Sequence, residues 1–239
     1  MFDPFGDFNE RGYLQNTEGI KDLGEVKRME HVLFNANMGK ALSYLEKIES
    51  VKYQDFLLVH KILFGSFYHW AGKDRSDTFP DKAVSKGKVL FSHPSDSRLA
   101  IEHGLALASD ANKMRSNPGE VMGFFAYGHP FLDGNGRTML LVHMELCDRA
   151  GFSIQWEKAD KVKYLKALTE EIRDPKKREL DSYLSPFVSS SVPRAQWISR
   201  IGKIRGLDGT SVDVVEGDFA EQRVSQAYSS LKASRGYGF

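Results

Sequence analysis

The stretch His129-Pro130-Phe131-Leu132-Asp133-Gly134-Asn135-Gly136-Arg137-Thr138 runs directly into Met139-Leu140-Leu141-Val142-His143-Met144-Glu145-Leu146-Cys147. The second half leaves few polar faces, and a helix apolar nearly all round belongs at the centre of a domain. The spacing predicts that helix over 135–150, with Gly151 as its stop. Upstream, Glu120 to Tyr127 follows the breaker pair Pro118-Gly119 and reads as another helix. The first half of the quoted stretch is therefore a loop between two helices, and it feeds a helix N-terminus.

Outward from this centre the periodicity stays helical. Asp22 to Ile48 carries apolar residues at intervals of three and four, predicting one or two amphipathic helices. Tyr53 to Leu63, Asp96 to Met114 and Ala159 to Ile172 read the same way, the last as the final helix. One stretch departs: short β-prone runs flank Lys86-Gly87-Lys88 and predict a hairpin. The expected fold is all-α with that one β-hairpin. Ser189 to Pro193 reads as a boundary, which divides the chain into a domain over 1–190 and a C-terminal appendage over 191–239.

Composition narrows the function classes. With 239 residues and 41% hydrophobic content, the chain can bury a real core. Its 33 basic and 32 acidic side chains nearly cancel, so no global field points to nucleic acid or a membrane. Lys176-Lys177-Arg178 is followed by Glu179 and Asp181 and reads as a solvated turn. A single cysteine, Cys147, excludes an internal disulfide framework and a thiolate metal cluster. That usage suits a reducing, cytoplasmic compartment. The start at Met1 has no secretory pattern, and Val121 to Leu132 is too short to span a bilayer.

The loop carries the chemistry. Free backbone N–H groups at a helix N-terminus, with the helix dipole, favour an anion. Gly134 and Gly136 let the backbone curl inward, and successive amides in such a turn form an anion-binding nest. Arg137 adds a fork-shaped cation suited to phosphate oxygens. Asp133 is a hard oxygen ligand of the kind Mg²⁺ takes beside phosphates. His129 can act as a general base near neutrality. The rival reading is a plain turn, since Asp-Gly and Asn-Gly are turn dipeptides, though helical rather than strand flanks weigh against a hairpin. An EF-hand fails because Met144 stands at its twelfth position. The spacing fits neither the phosphate loop nor the dinucleotide turn.

The string resembles the signature of the Fic family, His-Pro-Phe-x-Asp/Glu-Gly-Asn-Gly-Arg-x-x-Arg. Every specified position matches through Arg137, and the terminal arginine falls at Leu140. Gly12-Tyr13-Leu14 with Asn16, Gly19-Ile20 and Asp22 is similar to the family's N-terminal segment. So is Phe64-Gly65 with Trp70-Ala71-Gly72 and Arg75 to its next block, and Ser85 to Phe91 to its hairpin flap. The likeness covers about residues 12–187.

The resemblance implies an all-α Fic domain with the hairpin over the active site. It implies a protein adenylyltransferase using ATP and Mg²⁺, which moves AMP to a Ser, Thr or Tyr hydroxyl of a target protein. His129 would deprotonate that hydroxyl and Asp133 would hold Mg²⁺. Gly134, Asn135 and Gly136 would form the anion cradle, Arg137 would stabilise the developing charge, and Phe131 would anchor the loop. Ser85, Lys86 and Gly87 of the flap would meet nucleotide or target, with the flap pairing with an extended target segment. Tyr164 would line the adenine pocket or pack in the core. Arg75 would brace the site.

Leu140 is a departure, since the family's arginine there contacts terminal phosphates and pairs with an inhibitory glutamate. Glu18-Gly19 and Glu216-Gly217 both lack the preceding Ser or Thr of the inhibitory pattern, so no internal lock of that kind is expected. The resemblance then admits a small antitoxin or inhibitor partner, a toxin-like role in the same cell, or secretion into a host as an effector. Two alternatives stand beside AMP transfer: an enzyme transferring another phosphate-containing group, and a non-catalytic nucleotide-binding module. Gly136 argues against the Doc-like phosphotransferases, which carry lysine there. The remaining histidines, His60 among them, show no metal-ligand spacing and read as partly buried or surface hydrogen-bonders.

Overall fold

The computed structural model describes residues 15–86, 89–207 and 214–236. Gly12-Tyr13-Leu14 of the N-terminal resemblance and Gly87 of the flap lie outside the described residues. The helix predicted from Asp22 is one continuous element, α1 (Leu23–Lys47), whose first turn is capped where the Asp22 carboxylate accepts the Glu25 N–H at 2.8 Å. It packs against α2 (Tyr53–Phe64). After α3 (Arg75–Thr78) come the hairpin strands β1 (Lys82–Lys86) and β2 (Val89–Leu90). The single helix expected over 96–114 is two, α4 (Pro94–Ala108) and α5 (Ala111–Ser116). The break is a capping event: Asp110 accepts the N–H groups of Asn112 and Lys113 and starts a new helix.

The centre is built as expected. α6 (Pro118–Gly128) opens on a proline at its first turn, and all but Glu120 of its residues are buried. α7 (Asn135–Arg149) follows the loop and is packed by α1, α2, α5 and α6. Gly151, at φ +80°, follows its end. Beyond it lie β3 (Phe152–Ile154), α8 (Lys161–Arg173), α9 (Glu179–Leu184), β4 (Val188–Ser190) and α10 (Trp197–Ile201). β3 and β4 form a small antiparallel pair.

α8 is not the last helix. After α10 the chain adds β5 (Val214–Asp218) and α11 (Gln222–Arg235). β5 pairs antiparallel with β1, setting Lys82 opposite Asp218 and Ser85 opposite Val214. The hairpin is thereby the larger part of a three-stranded sheet in the order β2-β1-β5. β1 is bonded on both sides, and β2 is left as an outer strand. α11 packs beside α8, and its Arg235 is buried with the guanidinium 3.7 Å from the Tyr127 ring centroid.

Candidate functional site

Helix α6 ends on His129 in the left-handed conformation, φ 43° and ψ 58°. A non-glycine residue held there costs on the order of 1 kcal/mol or more, so surrounding contacts must impose it. They are in place. The His129 carbonyl accepts from Arg75 Nε at 2.7 Å, and the Arg75 backbone N–H donates to the Pro130 carbonyl at 2.8 Å. Arg75 also reaches the Ser92 carbonyl at 3.0 Å, and Ser92 donates from Oγ to the Gly128 carbonyl at 2.9 Å. Arg75 thus braces the bend from below. The His129 ring lies flat against Phe91, centroids 3.5 Å apart.

The next turn is stapled by Asn135, whose amide accepts the Phe131 N–H at 3.0 Å and donates to the Phe131 carbonyl at 2.8 Å. Phe131 is fully buried and stacks on His60 at 3.8 Å. His60 Nδ1 accepts the Gly72 N–H at 3.0 Å, so its Nε2 carries the proton and donates to the Asp133 carbonyl at 2.9 Å. Burial pushes the His60 imidazole down to about 3, which keeps it neutral. Gly134 sits at φ +78°, and a Cβ there would lie 2.7 Å from the Phe64 ring and 2.9 Å from His60 Nε2. Gly136 is different: it is helical, and a Cβ there would meet nothing within 4 Å. Its missing side chain leaves space in front of the α7 N-terminus. No side chain caps that terminus, so its first-turn amides are available to an anion.

Behind the turn lies a buried ionic cluster. Lys27 and Glu30 of α1 sit three residues apart with 3.1 Å between Nζ and Oε2. Lys27 also pairs with Asp133 Oδ2, and Glu30 pairs with Arg137 at 2.8 Å. Tyr68 donates its hydroxyl to Glu30. Burial pulls the Lys27 ammonium down, but Asp133 and Glu30 outweigh it and hold it above the ordinary lysine range. Burial, reinforced by Glu30, pushes the Tyr68 hydroxyl well up. Arg137 Nη1 is buried with no hydrogen-bond partner among the described residues.

One cavity opens onto these groups. His129, Asp133, Gly134, Asn135, Gly136 and Arg137 form part of its lining. Leu140, Trp156 and Tyr164 supply an apolar wall, with Trp156 and Tyr164 edge-to-face at 5.4 Å. Trp156 Nε1 is also buried without a partner among the described residues. Burial pushes the Tyr164 hydroxyl well up, so it stays protonated. Lys86, Lys161 and Arg205 line the same space. Among the described residues of the lining, Lys86, Lys161, Arg205 and Arg137 are cationic and Asp133 is the carboxylate, a balance that suits an anionic ligand.

The structure sorts the sequence-predicted residues. His129, Asp133, Gly134, Asn135, Gly136, Arg137, Lys86 and Tyr164 meet in the cavity. Asn135 contributes backbone, because its side chain is spent on Phe131. Phe131 and Ser85 do not line the cavity: Phe131 is core, and the Ser85 side chain is buried. Sequence reasoning missed Lys27, Glu30, Tyr68 and the structural part played by His60. The available signal was a lysine and a glutamate placed three apart on α1 beside its buried Val26 and Phe34.

Mg²⁺ fits this donor set poorly. Asp133 Oδ1 accepts the Gly134 N–H at 2.5 Å, and Oδ2 faces Lys27. Two like unit charges about 4 Å apart repel by about 4 kcal/mol at the effective dielectric near a protein surface, and a divalent ion would double that against Lys27.

A match to the Fic/DOC family covers residues 50–147. Over 185 residues the chain is 30% identical to the protein adenylyltransferase VbhT of Bartonella schoenbuchensis, taking in 70% of this chain and 35% of that relative. It is 24% identical over 164 residues to the probable protein adenylyltransferase y4lH of Sinorhizobium fredii, covering 65% of this chain and 81% of the relative. Among solved structures, the BepC effector of Bartonella tribocorum with bound AMPPNP superposes with a TM-score of 0.58 at 18% identity, over 75% of this chain and 94% of that one. The N-terminal Fic domain of a Bartonella quintana effector with bound ADP gives 0.58 at 21% identity, over 75% and 92%. These likenesses show the helical fold. Among the described residues no helix is long and apolar enough to cross a membrane.

Proposed function

This chain belongs to the Fic/DOC family, and we propose that it transfers AMP from ATP to a Ser, Thr or Tyr hydroxyl of a target protein. The single observation that carries this reading is the shared cavity. The His129 imidazole and the uncapped N-terminus of α7 line one space, which Gly136 leaves open. The two relatives named as adenylyltransferases support it, as do the nucleotides bound in the two solved neighbours.

In this reading the α7 amides and Arg137 hold the phosphates, and the wall of Trp156 and Tyr164 takes the base. His129 accepts the proton of the incoming hydroxyl. The hydroxyl oxygen bonds to the α-phosphorus as the bond to the bridging oxygen breaks, and pyrophosphate leaves. The protein supplies position and charge stabilisation, and Phe91 fixes the plane of the base. The target adds as a strand at β2, because β5 already pairs with the other side of β1 in the hairpin. Mg²⁺ at Asp133 is left out of these steps, since Lys27 occupies that carboxylate. Among the possible settings, a reducing cytoplasm or a host cell entered as an effector, and a small inhibitor protein as regulator, belong to the same proposal.

Incubation with α-labelled ATP and lysate tests it: label retained on a protein by the wild type and lost with His129→Ala is the expected result. Retention only of γ-label supports a second reading, transfer of a different phosphate group, which Leu140 in the cavity wall favours. Binding of ATP without label on any protein supports a nucleotide-binding module instead.

A further inference from the structure

The cation that meets Asp133 belongs to the chain. Lys27 is buried, and its ammonium is shared between Asp133 Oδ2 and Glu30, 3.1 Å away. Glu30 is fully buried and fixed in turn by Arg137 at 2.8 Å and by the Tyr68 hydroxyl. Arg137 lies 3.7 Å from Asp133 Oδ1. Lys27 and Arg137 cancel Glu30 and Asp133, so the set is neutral, paired and hydrogen-bonded. A buried charge set persists only under those conditions. A divalent ion at Asp133 would break that balance, and among the described residues of the cavity lining no second carboxylate restores it.

We propose that Lys27 takes the place of the divalent cation at Asp133, so that this chain binds the phosphates of a nucleotide without a metal ion. Lys27 acts through Asp133 as a positioning residue. The phosphates are met by the uncapped α7 amides and by Arg137, whose Nη1 has no partner among the described residues. The proposal rests on the nucleotide-binding reading above and deepens it.

Calorimetry on the full chain, with ADP as the probe, tests it in excess EDTA and again in excess magnesium chloride. The expected dissociation constants agree within about twofold, a difference too small to assign a metal a role. Lys27→Met is expected to weaken ADP binding in EDTA by about tenfold or more, with magnesium restoring it, while Lys27→Arg keeps binding independent of magnesium. A purely structural Lys27 would not create a magnesium requirement. Mn²⁺ alone, followed by electron paramagnetic resonance, should stay free with the wild type. Wild-type ADP binding that falls about tenfold in EDTA, or Mn²⁺ held by the wild type and released by Asp133→Asn, overturns the proposal and leaves the nucleotide reading standing. ADP bound under neither condition overturns both.

Discussion

The imidazole of His129 lies parallel to the phenyl ring of Phe91, with planes 7° apart and centroids separated by 3.5 Å. Phe91 follows the second hairpin strand, so the sheet and the base are mechanically joined. Replacing Phe91 with leucine keeps apolar bulk but removes the flat surface. AMP transfer is expected to fall by about tenfold or more in kcat, because a general base must hold its geometry. Phe91 also lines the cavity, but it is not part of the α7 N-terminus, so ADP affinity measured by calorimetry should fall by less than kcat does. A parallel loss of affinity would show that Phe91 shapes the whole cavity.

Two glycines two residues apart should separate stability from binding. Gly134→Ala meets both a positive φ of 78° and the Phe64 ring at 2.7 Å. A loss of about 2 kcal/mol or more in urea denaturation is expected. Gly136→Ala has open space and a helical backbone. Its stability should be unchanged or slightly raised by better helix propensity. Its ADP affinity should drop by about tenfold, because the methyl group fills the space before the amides. Unchanged ADP binding by Gly136→Ala would mean that the phosphates lie elsewhere.

The helical centre was legible because its signals are local. Apolar spacing marked α1, α2, α6 and α7, and Pro118 and Gly151 marked ends. The loop before α7 was legible because chemistry and spacing coincide in one contiguous string. What escaped depends on distant pairings. Lys27 stands 106 residues from Asp133, and nothing in the periodicity of α1 says which carboxylate it faces. The same holds for Glu30 and Arg137, 107 residues apart. β5 escaped because a short strand on the edge of a sheet is specified by the strand it joins. Splitting α4 from α5 turned on one capping aspartate, Asp110, inside an otherwise helical pattern.

His60 makes acid stability predictable. Burial holds its folded value near 3 and that of His143 near 4, below the ordinary 6.5. Between these values and 6.5 the unfolded chain binds protons that the folded chain does not. The stability these two imidazoles contribute is therefore fully present above pH 6.5 and is lost as pH falls toward 4. Each group contributes a slope of about 1.4 kcal/mol per pH unit in that window. Burial raises the Glu171 carboxyl to about 7 and so opposes this slope between about 4.5 and 7. The difference between variants is therefore the readout: in thermal melts, His60→Gln should lower the slope of stability against pH below 6.5 by about 1.4 kcal/mol per pH unit relative to the wild type. An unaltered slope in His60→Gln would show that its imidazole is charged, or absent from the folded core.

Arg235 tests whether the C-terminal helix belongs to the domain. Its guanidinium lies 3.7 Å from the Tyr127 ring centroid and 5.5 Å from that of Phe124. It also donates to the Ile172 carbonyl at the end of α8. Tyr127 precedes the Gly128-His129 bend by one residue, so α11 supports the helix that delivers the base. The pairing of Lys232 with Asp96 at 3.2 Å is partly exposed and worth little, while Val224 is buried and Tyr228 also donates to Asp96. Arg235→Ala is expected to cost about 2–3 kcal/mol in urea denaturation, from a lost buried cation–π contact and an orphaned carbonyl. The transition should remain single, because α6 couples α11 to the core. A second, earlier transition confined to the variant would mean that residues 214–236 melt apart from the helices that hold the site.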